Sequence, residues 1–108
     1  MAKMFRNLLD ETIESMFING KTAKDVRFVT DCTTICCWNT FVELASGYDY
    51  DGGYGHAYVN QHLMIVGDDW WLERLEYDGS EGWEFKTIPK QDGFVYGPVD
   101  IKAYGADW

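Results

Sequence analysis

Apolar residues recur at Met4, Phe5, Leu8, Leu9, Ile13, Met16 and Phe17, the spacing of one helical face, and predict a helix over about residues 3–19. Asn19-Gly20 supplies a left-handed stop, and Asp10, Glu11 and Glu14 fall on the polar face. Val26-Arg27-Phe28-Val29-Thr30 is rich in β-branched residues and reads as a short strand. Thr40-Phe41-Val42-Glu43 has the form of a capping box, in which the Thr hydroxyl accepts from the Glu N–H and the Glu side chain reaches back. A short helix to Ala45 follows, closed by Ser46-Gly47. Its length makes it marginal alone, so Trp38, Phe41 and Leu44 are expected to dock it.

Residues 48–55 form a turn tract planted with Tyr48, Tyr50 and Tyr54. Beyond His62, Leu63-Met64-Ile65-Val66 predicts a buried strand, and Gly67-Asp68-Asp69 turns the chain into a second over residues 70–77. A third, over residues 83–88, follows the turn at 78–82 and is stopped by Pro89. The three make an antiparallel meander. A five-residue turn pairs Tyr77 with Trp83 and Leu75 with Phe85 on an apolar core face. The other face then opposes Glu76 to Glu84 and Arg74 to Lys86, relieved by the diagonals. A four-residue turn sets Trp83 against Glu76 and is rejected.

Residues 91–108 are punctuated by glycine and suit one or two edge strands or a coil. The expected fold is one α+β domain over residues 1–108. It is an antiparallel sheet of four to five strands with an N-terminal helix packed on one face and a short second helix. At 108 residues, 46% hydrophobic and 17% aromatic, the chain can bury one core without staples.

Charge adds the sharpest information. Eighteen acids against nine Lys and Arg give a net charge of −9, which argues against direct nucleic-acid binding because phosphates repel such a surface. Residues 1–42 hold five acids and five bases, and residues 85–108 hold three of each. Residues 43–84 hold ten acids against Arg74 alone, and so carry the whole imbalance. Such a segment is either a solvated face or a surface made for a basic partner.

No stretch reaches the roughly 18 apolar residues of a membrane span, and Asp10, Glu11 and Glu14 do not suit a signal peptide. A cytoplasmic setting is expected. Cys32, Cys36 and Cys37 are an odd set there, without a disulfide framework. Cys32 and Cys37 with His56 and His62 have finger-like pair spacings but eighteen residues between the pairs, and no bound zinc is expected. Residues 49–53 open like a calcium loop, but Tyr54 and Asn60 stand where glycine and glutamate are needed. No nucleophile signature, P-loop or G-x-G-x-x-G is present, so neither enzymatic activity nor a cofactor is expected. Adjacent Trp70 and Trp71 must point to opposite faces of a strand, which puts one indole outside the main core. Exposed aromatics ringed by charge are a common composition of binding surfaces.

Gly67-Asp68-Asp69-Trp70-Trp71-Leu72-Glu73-Arg74 and Glu76-Tyr77-Asp78-Gly79-Ser80-Glu81-Gly82-Trp83-Glu84-Phe85-Lys86 form a block that resembles small acidic proteins of phages and mobile elements of Gram-positive gut bacteria. Tyr50-Asp51-Gly52-Gly53-Tyr54-Gly55 is similar to a second block of that group. The resemblance covers under a third of the chain and assigns no residue a role. It implies a setting, a bacterial cytoplasm in which such proteins often inhibit host defence, anti-CRISPR proteins among them. The expected function is non-enzymatic inhibition of a bacterial defence protein by occupying its basic nucleic-acid site. Asp68, Asp69, Glu73, Glu76, Asp78, Glu81 and Glu84 are the expected contacts, with Trp70, Tyr48, Tyr50 and Tyr54 as apolar anchors. Neither nucleic acid nor membrane is an expected direct partner. Two alternatives are a pocket that sequesters a small nucleotide between the tyrosines and a tryptophan, and a structural or regulatory phage protein without a ligand.

Overall fold

The computed structural model describes residues 5–51 and 57–102. Strand β1 (Phe5–Asn7) leads into helix α1 (Leu8–Ile18), followed by β2 (Phe28–Thr30), β3 (Ile35–Cys36), helix α2 (Trp38–Ser46), β4 (Asp49–Asp51), β5 (Met64–Val66), β6 (Trp70–Tyr77) and β7 (Ser80–Thr87). The α+β class and the meander β5-β6-β7 are as expected. One five-stranded sheet runs β3-β2-β5-β6-β7, antiparallel throughout, and β1 pairs with β4 in a separate two-stranded sheet.

Helix α1 starts at Leu8, later than its periodicity suggests. Asn7 caps it, accepting from the Asp10 N–H at 3.1 Å. The residues before it are drawn into pairing with Asp49–Asp51, a partner the local pattern does not reveal. Its far end closes as expected. Gly20 adopts φ +74°, Lys21 N–H reaches the Met16 carbonyl, and Gly20 N–H reaches that of Phe17. Helix α2 differs at its start: Cys37, rather than Thr40, is the N-cap, and no Thr40–Glu43 box forms. A box does form at Thr22 and Asp25, around a single 3-10 turn at Ala23–Asp25. Phe41 and Ala45 dock α2, Trp38 is half-buried, and Leu44 faces outward. The strand expected from Val26 begins at Phe28.

The register of β6 and β7 departs from expectation. Asp78 and Gly79, at φ +53° and +83°, make a two-residue turn whose twist matches the strands, so β7 begins at Ser80 rather than Trp83. The pairs are Tyr77–Ser80, Glu76–Glu81, Arg74–Trp83, Glu73–Glu84 and Leu72–Phe85. Trp70, Leu72 and Arg74 therefore face the core, while Leu75 and Tyr77, expected inside, are 50% and 80% exposed. Trp83 and Phe85 do pack on the core side and Glu84 turns outward, as expected.

Both helices pack on that one sheet face. Leu8, Met16, Phe41 and Ala45 join Val29, Ile65, Trp70 and Leu72 in a contiguous buried cluster that also takes in Tyr50 and Val59. Gly67 turns β5 into β6 with the Trp70 indole lying directly on it. A Cβ there overlaps the indole nitrogen of Trp70, so only glycine fits without displacing the ring.

Candidate functional site

Two groups of charged residues organise the molecule, one inside and one outside. The inner group centres on Arg74, whose side chain is 0% exposed. Its Nη1 donates to Glu11 Oε1 at 2.7 Å, and its Nη2 to Glu81 Oε1 at 3.0 Å and to the Tyr50 hydroxyl at 3.1 Å. The Tyr50 hydroxyl in turn donates to Glu11 Oε2. Glu81, also 0% exposed, accepts from the N–H groups of Tyr58 and Val59 at 2.6 and 3.2 Å. The guanidinium stacks 4.7 Å over the Trp83 ring, whose Nε1 donates to Thr12 Oγ1 at 2.9 Å. Burial opposes the charge of Arg74, but its bonds to Tyr50 and Glu11 outweigh that and raise its pKa. This cluster ties α1, β4, β6, β7 and residues 58–59 together.

Three residues expected to meet a partner belong to this interior. Glu81 is spent on Arg74, Tyr50 is buried beneath it, and Trp70 is buried against Phe85, ring centroids 5.8 Å apart. Arg74, expected on the outer face beside Lys86, is internal as well. The physical reason is the two-residue turn, which shifts β7 against β6 and brings Glu81 to the core side with Arg74.

The outer group lies on the sheet face opposite the helices. Cross-strand pairing sets Phe28, Val66, Trp71 and Lys86 in one row and Thr30, Met64, Glu73 and Glu84 in the next, with Leu75 and Tyr77 beyond. Trp71 is the outward indole that the Trp70-Trp71 pair requires. Its Nε1 donates to Glu73 Oε1 at 2.7 Å. Glu73 and Glu84 oppose each other directly, an unfavourable like-charge pair, and Lys86 Nζ bridges them at 3.4 and 3.2 Å. The two carboxylates raise the Lys86 pKa, Glu84 foremost. Asp68 and Asp69 stand exposed in the β5–β6 turn, Asp68 paired with Arg27. Asp78 and Glu76 stand at the other turn, where Glu76 accepts from the Gly79 N–H at 2.9 Å. The structure thus brings Glu73 and Glu84 together on one face, with Asp68 and Asp69 at one end and Asp78 at the other; Glu76, paired with Glu81, falls on the helix side of the sheet and not beside Glu84 as expected.

Phe28, Met64, Trp71, Leu75 and Tyr77 complete this surface and were missed as contacts. The legible signal was Asp78-Gly79, the strongest short hairpin turn. Given that turn, alternation puts Trp71, Leu75 and Tyr77 on one face.

Tyr48 lies apart, stacked on Tyr50 at 6.1 Å and donating to the Tyr58 carbonyl; Tyr54 and His56 fall outside the described residues. The depression beside Tyr48 and Tyr58, about 500 Å³, is lined among the described residues by Leu8, Phe41, Leu44, Ala45, Val59, Asn60 and Leu63, without a Lys or Arg to meet a phosphate. Cys37 is exposed, its thiol pKa lowered by hydrogen bonds to Thr40; burial raises that of Cys36. Among the described residues no group of three or more His, Cys, Asp or Glu is placed to hold a metal ion, and no helix is long and apolar enough to cross a membrane. Compared with protein-family models, curated proteins and solved structures, the chain matches none of them.

Proposed function

We propose that this chain is a non-enzymatic binding protein that docks the open face of its sheet on a basic, nucleic-acid-binding protein and occupies the site meant for phosphates. The observation that carries it is the joint placement of Trp71, Leu75 and Tyr77 with Glu73, Glu84, Asp68 and Asp69 on and around a face left open by both helices. Aromatics supply contact area at low entropic cost, and carboxylates on a rigid sheet meet the cations that otherwise hold phosphates. Lys86, held between Glu73 and Glu84, marks where a partner's Lys or Arg would bind. The resemblance to phage and mobile-element proteins makes a bacterial defence protein in the cytoplasm the proposed target. The nucleotide-pocket alternative loses support, because Tyr50 is buried against Arg74 and Glu11 and, among the described residues, no cation lines the depression beside Tyr48.

The test starts from a nucleic-acid-binding protein captured from bacterial lysate on the immobilised chain. Anisotropy of fluorescent DNA bound to that target should fall as the chain is added, and the effect should weaken steeply from 0.05 to 0.3 M salt. Asp68→Asn, Asp69→Asn, Glu73→Gln and Glu84→Gln combined, which remove the acids without setting new lysines beside Lys86 and Arg27, should abolish the competition with little change in the melt. Glu81 is left intact because it is internal. Asp10→Lys with Glu14→Lys on α1 should change little. Competition that survives the first set, or is lost with the second alone, removes this mechanism.

A further inference from the structure

The chain leaves β7 at Thr87 and ends its described course in residues 88–102, a segment without strand or helix. Phe94, Val95, Tyr96, Val99 and Ile101 in it are between 76% and 96% exposed. Its composition is that of an edge strand: β-branched and aromatic, with Val99 and Ile101 alternating with Asp100 and Lys102, and with Pro98 of the Gly97-Pro98 step tolerated where its missing N–H faces solvent. A folded chain seldom leaves so many large apolar side chains in water together.

Among the described residues, the β7 edge of the sheet has no strand beside it. Ile88 N–H donates to the Asp69 carbonyl at 2.9 Å, so the even-numbered residues of β7 bond toward β6. The odd-numbered residues therefore turn their backbone groups outward. Glu81 agrees with this, since its carbonyl takes Arg6 Nη1 at 2.8 Å. Arg6 closes that end, which leaves Trp83, Phe85 and Thr87 presenting N–H and C=O groups along the edge. An open edge is a template for another strand.

We infer that residues 94–101 of one copy add as a strand to the β7 edge of a second copy, reciprocally, to make a twofold dimer. Charge favours this segment as the contact. Residues 88–102 hold Lys90 and Lys102 against Asp92 and Asp100, so a chain of net charge −9 can offer it to a copy of itself without gathering like charge. Area agrees: the five side chains expose on the order of 700 Å². Burying half of that on both copies, with the surface it covers, removes about 1,400 Å², within the range of stable interfaces. The open sheet face stays free, so this dimer does not depend on the proposed function. Its salt response also differs: apolar strand addition between acidic chains holds or tightens as salt screens their repulsion, whereas docking on a basic partner weakens.

Sedimentation velocity of the full chain from 1 to 200 μM, at 0.05 and 0.5 M NaCl, tests this beside hydrogen exchange at residues 94–102. The expected result is a monomer–dimer equilibrium no weaker at high salt, with protection of those amides rising with concentration. Thr87→Pro removes one outward N–H and leaves the Ile88 bond to β6; it should raise the dimer Kd at least tenfold. Phe94→Ser with Tyr96→Ser should do the same from the exposed segment, where folding is not at risk. A chain that stays monomeric overturns the inference, whether the segment is unprotected or is protected by folding back on its own β7. A dimer indifferent to the Phe94 and Tyr96 substitutions overturns it too.

Discussion

Arg74→Met is the most incisive single change, because it removes the charge at the centre of the buried cluster and keeps an unbranched stem in place of the arginine's own. In the wild type the guanidinium pairs with Glu11 and Glu81, whose side chains are 13% and 0% exposed. Without it Glu11 keeps the Tyr50 hydroxyl, with Arg6 3.6 Å away. Glu81 keeps only the N–H groups of Tyr58 and Val59 and stays fully buried. Breaking a buried pair from one side costs about 3–5 kcal/mol, because the remaining charge is uncompensated. Against a typical stability of about 5–15 kcal/mol this is a large fraction. At about 4 °C per kcal/mol for a chain of this size, the melt should fall by about 12–20 °C. Adding Glu81→Gln removes the stranded charge and keeps an acceptor for both N–H groups. The double variant should regain at least half of the loss, about 1.5–2.5 kcal/mol, so the coupling in a urea-denaturation cycle exceeds that figure by whatever Glu81→Gln costs alone. A loss below about 1 kcal/mol for Arg74→Met, or strict additivity in the double variant, refutes the uncompensated-charge argument.

Two further outcomes follow from the core. Gly67→Ala drives a methyl into the buried Trp70 indole and should cost about 1–3 kcal/mol, read as a melt lowered by about 4–12 °C; an unchanged melt means the ring moves freely. Burial, and then the bond to Glu11, raises the Tyr50 pKa, so its phenol stabilises the fold fully below the unfolded value of about 10 and loses that contribution as pH rises through the folded one. Urea midpoints from pH 8 to 11.5 should therefore fall more steeply for the wild type than for Tyr50→Phe, and parallel slopes count against a buried, protonated phenol.

Local physics made a good deal of this protein legible from the chain alone. Helix α1 and its stop at Asn19-Gly20 follow from apolar spacing and the left-handed freedom of glycine. The turn at residues 67–69 and the meander after it follow from alternation and turn chemistry. The opposite directions of Trp70 and Trp71 follow from strand geometry, and the acidic middle segment needs only counting. What tertiary structure decided turns on long-range partners. Arg74 lies inside because Glu11, 63 residues earlier, and Glu81 meet it there; hydropathy assigns any arginine to water, and a turn chosen to keep Leu75 and Tyr77 on an apolar face leaves Arg74 outside. Phe5–Asn7 left the helical pattern because Asp49–Asp51 offered backbone partners, which no local periodicity records. The open face that became the candidate site was fixed by those same events: once Arg74 and Glu81 pointed inward, strand alternation left Trp71, Leu75 and Tyr77 no place but outside.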